Sequence, residues 1–215
     1  MKRISYLSLA WFLLFSFFFF LMVQITLRYL PFSADASFLQ IKQTEVQEVS
    51  YYLPVFYVHV YSSVFTLLAG FVQFNRWILQ NYPKFHRGVG YFYVVTVVLL
   101  SAPSGVVIGY YANGGLMSKI SFMLLGTLWL LFTLKAIFHI KKRQVIKHEA
   151  FMLRSFALAF SAITLRLWKV ILVYLFQPAP MDVYQIIAWL GWIPNLIFIE
   201  LIISKTNTRE KNHLI

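Results

Sequence analysis

Residues 11–22 read Trp-Phe-Leu-Leu-Phe-Ser-Phe-Phe-Phe-Phe-Leu-Met, a run with one small hydroxyl and no charge. A half-buried strand alternates apolar and polar side chains, and this run does not, so it reads neither as a soluble strand nor as part of an outer-membrane barrel. It lies inside an apolar block from Ser8 to Leu30, and roughly 20 mainly apolar residues suffice for a helix to cross hydrocarbon. Five more blocks of that kind follow: Val55 to Phe74, Gly88 to Tyr110, Ser118 to His139, Ala150 to Phe176 and Tyr184 to Ser204. Lipid offers the backbone no hydrogen-bond partner, so each block is expected to be helical. The expected fold is an all-α membrane protein, a six-transmembrane-helix bundle forming one integral domain over residues 1–215. It divides into an N-terminal anchor helix at 1–30, a five-helix region at 55–204 and a tail at 205–215.

Only 12% of the residues are charged and 60% are hydrophobic, against about 25% charged in ordinary soluble domains. The net charge of +12 would suit nucleic acid if it formed a basic patch interleaved with aromatics, but it does not. It gathers in short flanks between the apolar blocks. One set of flanks holds Lys2, Arg3, Arg76, Lys84, Arg87, Lys141, Lys142, Arg143, Lys147, Lys205, Arg209 and Lys211; the opposite set holds Arg28, Lys42 and Lys119. That asymmetry predicts both termini in the cytoplasm (N-in/C-in) and a multi-pass protein of the cytoplasmic, or inner, membrane. The expected partner is the lipid bilayer, not nucleic acid. Lys2 and Arg3 before the first block, with Ala34-Asp35-Ala36 after it, also resemble a secretion signal. The block exceeds an h-region of about 7 to 15 residues, so a retained anchor is expected. Between Pro31 and Pro54 runs the longest external loop, whose Phe38, Ile41 and Val49 suggest a short helix on the membrane surface. Cysteine is absent, which removes disulfides, thiolate metal sites and cysteine nucleophiles.

The polar residues inside the blocks carry the functional question, because polar groups in lipid turn toward protein or a cavity. His59, Ser62, Ser63, Thr66, Gly70 and Gln73 recur at steps of three and four, one stripe of a helix. His148, Met152, Ser155, Ala159, Ala162, Arg166 and Lys169 share another, with His148 and Arg166 roughly 27 Å apart along the axis. Counting depth from the helix ends puts Glu200 level with Arg154, which predicts an ion pair, and Asn195 near Arg166. Pro103 frees the carbonyl of Leu99, so a kink is expected in the outer half of its helix. His86, His139 and His148 fall at one level on the basic side, three of the five histidines.

Several motifs agree in order. They are His59; Gly70 with Gln73; His86-Arg87-Gly88-Val89-Gly90-Tyr91; His148 with Met152-Leu153-Arg154-Ser155; Thr164-Leu165-Arg166-Leu167-Trp168; Ala188-Trp189-Leu190-Gly191-Trp192-Ile193-Pro194-Asn195; and Glu200. Together they resemble the bacterial predicted membrane protein family called domain of unknown function 2306. Family members often carry Trp beside the Met at position 152, where this chain has Phe151. The resemblance implies a membrane protein and names no reaction.

Three chemistries suit these residues. Bis-imidazole ligation of a b-type haem needs two histidines on facing helices at one depth; His86 and His148 meet that condition, with Arg87 or Arg154 to neutralise propionates. The layout is similar to the six-helix cytochrome b proteins reduced by ascorbate, one of whose haem sites joins the third and fifth helices. Those proteins carry a second histidine pair across the membrane, where this chain has only His59. A quinone site using His59, Arg166 and Asn195 is the redox alternative. A small anionic or lipid-like ligand would instead bind at Arg166 and Lys169, in a cavity walled by Trp192 and shaped at Pro103. In the third reading the polar residues are interhelical glue alone. Enzyme signatures fail: Gly88-Val89-Gly90 lacks the third glycine of a dinucleotide loop, and His148-Glu149 lacks the second histidine of a zincin helix.

Overall fold

Backbone groups surrounded by hydrocarbon must bond within their own segment, and the computed structural model, which describes residues 6–212, is helical through most of each block, with no strand among the described residues. Lys2 and Arg3, used for orientation, lie outside that range. The chain forms two units, Met1–Leu53 and Pro54–Ile215. In the first, α1 (Tyr6–Leu27) is followed by a 3-10 turn (Ser37–Lys42) and α2 (Gln43–Glu48). The loop thus holds two short helical pieces, and Val49 falls outside both. Lys42 is buried and bonds Glu45 Oε1 at 2.5 Å, so it adds little net charge to its flank.

The second unit holds most of α3 (Tyr52–Gln73), then α4 (Arg76–Asn81), α5 (Pro83–Thr96), a π turn (Val97–Ser101), α6 (Ala102–Tyr110), α7 (Gly115–Lys141), α8 (Val145–Ala159), α9 (Ser161–Phe176), α10 (Pro180–Leu190) and α11 (Ile193–Asn212). Among the described residues, four helices are long and apolar enough to cross a membrane: Tyr52–Gln73, Pro83–Tyr110, Gly115–Lys141 and Pro180–Lys205. A fifth span arises if α8 and α9, bent by 41° at Phe160, are taken together. Four to five candidate spans thus stand among the described residues.

Each irregularity has a local cause. Pro103 cannot donate, and the strain is absorbed one turn earlier, where the Ala102 N–H reaches Val97 O across a π turn. Pro194 removes the donor that would bond Leu190 O, so the last span breaks between α10 and α11. There the Trp192 N–H bonds Trp189 O, which deprives Ala188 O of its helical donor. The Ser121 hydroxyl of α7 donates to Ala188 O at 2.7 Å, and the Trp192 indole N–H donates to Ser121 Oγ at 2.9 Å.

The bend at Phe160 meets that break. Asn195 Nδ2 donates to Ala157 O (3.1 Å), to Gly191 O (3.1 Å) and to Thr164 Oγ1 (2.9 Å), and Thr164 Oγ1 donates to Gly191 O at 2.5 Å. The two interrupted helices thus satisfy each other's carbonyls, which is how broken spans are tolerated at membrane depth. Close approach is needed at Gly191, where a Cβ would lie 3.0 Å from Leu165 Cβ.

Candidate functional site

The basic flanks of α3, α5, α7 and α8 bring three histidines to one end of the second unit. Pro83 opens α5 at its first turn, where a missing N–H costs nothing, and this sets His86 on the next turn. The His86 carbonyl accepts from Gln73 Nε2 of α3 at 2.8 Å. Gln73 also packs on Gly90, where a Cβ would lie 3.0 Å from Oε1. His148, in the first turns of α8, has Nδ1 2.9 Å from the Ala136 carbonyl of α7. A carbonyl only accepts, so Nδ1 carries the proton and the lone pair of the neutral ring is on Nε2. His86 lies within electrostatic range of His148. Its Nδ1 is buried with no hydrogen-bond partner, the one such side-chain nitrogen or oxygen among the described residues.

Two turns deeper, a buried network fixes the helices that carry the pair. Thr133 gives its proton to Trp129 O at 2.8 Å, so Ser155 must donate to Thr133 Oγ1 (2.7 Å) and Tyr93 to Ser155 Oγ (2.8 Å); the Trp129 indole donates to Tyr93 (3.3 Å). The chain of donors begins and ends on Trp129, and Tyr93, Thr133 and Ser155 are fully buried. Tyr93 follows His86 by seven residues and Ser155 follows His148 by seven, about 10 Å along each helix. The lock between α5, α7 and α8 thus sits at matched depth below both imidazoles.

Residues 56–203 match the family described as predicted membrane protein (DUF2306). The chain belongs to the DUF2306 family. No curated protein and no solved structure matches it. The matched range takes in every described histidine, the Tyr93 network and the Asn195 network, so these arrangements lie within the DUF2306 region.

The remaining candidate residues of this DUF2306 protein fall into separate places. Arg154 pairs with Glu200 of α11, its Nε and Nη2 meeting the carboxylate at 2.5 and 2.8 Å. Arg87 is exposed beside His86. In the other half of the second unit, His59 Nδ1 donates to Ser101 O at 2.9 Å, at the end of the π turn, and Ser63 Oγ lies 3.5 Å from Nε2. Ser101 Oγ donates to Ser62 Oγ at 2.8 Å. Gly105 makes room for the imidazole, since a Cβ there would come within 2.9 Å of His59 Cε1. Arg166 is within electrostatic range of His59 and donates to Ala162 O. Lys169 is exposed. Trp192 and Asn195 are used at the break between α10 and α11, so the structure does not bring the five cavity candidates into one lining.

Tyr93, Trp129, Thr133 and Ser121 are the residues that the sequence reading passes over. Thr133 and Trp129 sit in a block so apolar that their polarity reads as noise, and the matching seven-residue spacing of Tyr93 from His86 and Ser155 from His148 is the signal that pointed to their level.

Proposed function

We propose that this protein is a redox component of the cytoplasmic membrane, with six spans and both termini in the cytoplasm, and that it binds one b-type haem between His86 and His148. The observation that carries the reading is the His86–His148 neighbourhood, with a buried, unpartnered nitrogen on one ring. The other ring supports it: an N–H anchored to a backbone carbonyl is the usual outer-shell arrangement that orients a ligating imidazole. Without cysteine the macrocycle would be held by coordination and packing, not by thioether bonds. Bound haem would supply one-electron transfer near the inner leaflet. Here the chain itself holds His148 by Ala136, holds the His86 turn by Gln73, and keeps α5 and α8 in register through the Tyr93 network. Arg87, exposed next to His86, would be the cation for a propionate. The six-span count rests on adding α1, and the orientation rests on the basic flanks.

The test is hemin titration of the purified, detergent-solubilised protein. The wild type, His59→Ala and His139→Ala are expected to develop a Soret band that saturates; His86→Ala and His148→Ala are not. Equal spectra for all five would remove the assignment.

A second reading has its own observation. A groove of about 310 Å³ runs between α3 and α6, lined by Val58, Leu99, Leu100, Pro103, Ser104 and Val107, and Ser104 Oγ is 3.4 Å from His59 Nδ1. It suits the tail of a quinone or other lipid-like molecule whose head reaches His59 and Arg166. Val58→Trp would fill it, and unchanged binding of a long-chain quinone to that variant would argue against this site.

A further inference from the structure

We propose that the lipid-facing side of the α7–α8 hairpin is a binding site for the phosphate of an anionic phospholipid, held between Lys135 and Arg154 around the ring of Phe151. Lys135 Nζ lies 5.4 Å and Arg154 Cζ 5.0 Å from the centre of that ring. His139 stacks on it at 5.2 Å with an interplanar angle of 5°. Two cationic side chains from neighbouring helices thus converge on one aromatic ring, and among the described residues the carboxylate that pairs with either is Glu200. Glu200 takes Nε and Nη2 of Arg154, while Lys135 forms no ion pair among the described residues. One positive charge is left over.

Its surroundings name the anion. Lys135 is six residues inside the end of α7 at Lys141, about 9 Å along the helix, and α7 is one of the spanning helices. Leu131, Lys135 and Phe138 follow one face, and the two apolar side chains are 45% and 52% exposed. The ammonium therefore opens toward lipid and not toward an aqueous cleft, where a bare charge is costly. A phosphate tethered to acyl chains reaches such a place; a dissolved anion does not. One turn nearer the basic flank, Lys142 Nζ lies 4.1 Å from the centre of the Phe138 ring, adding a further cation at headgroup level. The assignment does not depend on haem.

The experiment uses the full chain in detergent, titrated with phosphatidylglycerol or phosphatidylcholine, and reads bound lipid by native mass spectrometry and the thermal unfolding midpoint. The wild type is expected to retain phosphatidylglycerol preferentially and to be stabilised by it. Lys135→Gln should bind it about fivefold more weakly. Lys135→Arg should restore the affinity. Lys119→Gln, which removes a cation lying over Tyr110 at the other end of α7, should bind like the wild type. Unchanged affinity in Lys135→Gln overturns the site. So does equal retention of the two lipids by the wild type, which decides the matter even if the variant fails to fold. Inorganic phosphate giving the same stabilisation would make it a site for soluble anions and overturn the lipid assignment.

Discussion

Asn195 is the most informative residue to change, because its amide joins two broken helices through three acceptors. Its Nδ2 donates to Ala157 O, Gly191 O and Thr164 Oγ1 at 2.9–3.1 Å. Gly191 O keeps the Thr164 hydroxyl when the amide is removed, whereas Ala157 O loses its donor from α11. Interhelical hydrogen bonds in lipid average about 0.6 kcal/mol, so Asn195→Ala should cost about 1 to 2 kcal/mol. Asn195→Asp keeps the shape and turns a donor toward carbonyl oxygens into an acceptor. An unsatisfied buried acceptor costs about 1 to 3 kcal/mol, so the aspartate should be worse than the alanine by at least about 1 kcal/mol. Thr164→Val shares the network, and the double variant Thr164→Val/Asn195→Ala should be less destabilised than the sum of its parts. Reversible unfolding in mixed micelles, titrated with a denaturing detergent and followed by tryptophan fluorescence, measures all four. Wild-type stability in Asn195→Asp, or strict additivity in the double variant, would show that these breaks are not held as described.

Three further outcomes follow from the packing. Replacing Arg154 and Glu200 together by leucine should be tolerated better than either single change, because a lone charge is left behind in each single variant; expression and thermal midpoint in detergent compare them. Gly70→Ala should destabilise by about 1 to 3 kcal/mol, since its Cβ would lie 2.1 Å from a Phe156 ring atom while Phe156 packs against Phe71 and Phe74, and pairing it with Phe156→Leu should recover part of the loss in the same thermal assay. Tyr93→Phe leaves Ser155 without its donor and the Trp129 indole without its acceptor; a loss of about 1 to 3 kcal/mol is expected, together with weaker hemin affinity in titration if the lock sets the histidine spacing.

The apolar blocks were legible because length alone dictates a span, and the helix ends differ mainly where aromatic and basic residues continue a helix past the hydrocarbon, as at Tyr52–Leu53 and Ile140–Lys141. The bend at Phe160 was not legible. It contains no proline or glycine, and it falls where Asn195, 38 residues after Ala157, takes the Ala157 carbonyl. Pro103 announced an irregularity, but not that it takes the form of a π turn whose last carbonyl, Ser101 O, meets His59 of another helix. Depth counting set Glu200 level with Arg154, and they are 2.5 Å apart; it also set Asn195 near Arg166, and Asn195 meets Thr164, two residues away. Rotation about the helix axis is what depth counting omits. For that reason Trp192, read as a cavity wall, proves to be the donor to Ser121. His86 and His148 were visible as residues at one level, while the Ala136 tether and the buried nitrogen of His86 required the neighbouring helices.

Haem stoichiometry tests the central claim most directly. The protein is expressed with ample haem supply, purified in mild detergent, and its haem extracted and quantified against chain concentration. One haem per chain, lost in His148→Ala while that variant stays monodisperse, is the predicted result. No haem in well-folded wild-type protein, or two per chain, would contradict a single site at His86 and His148.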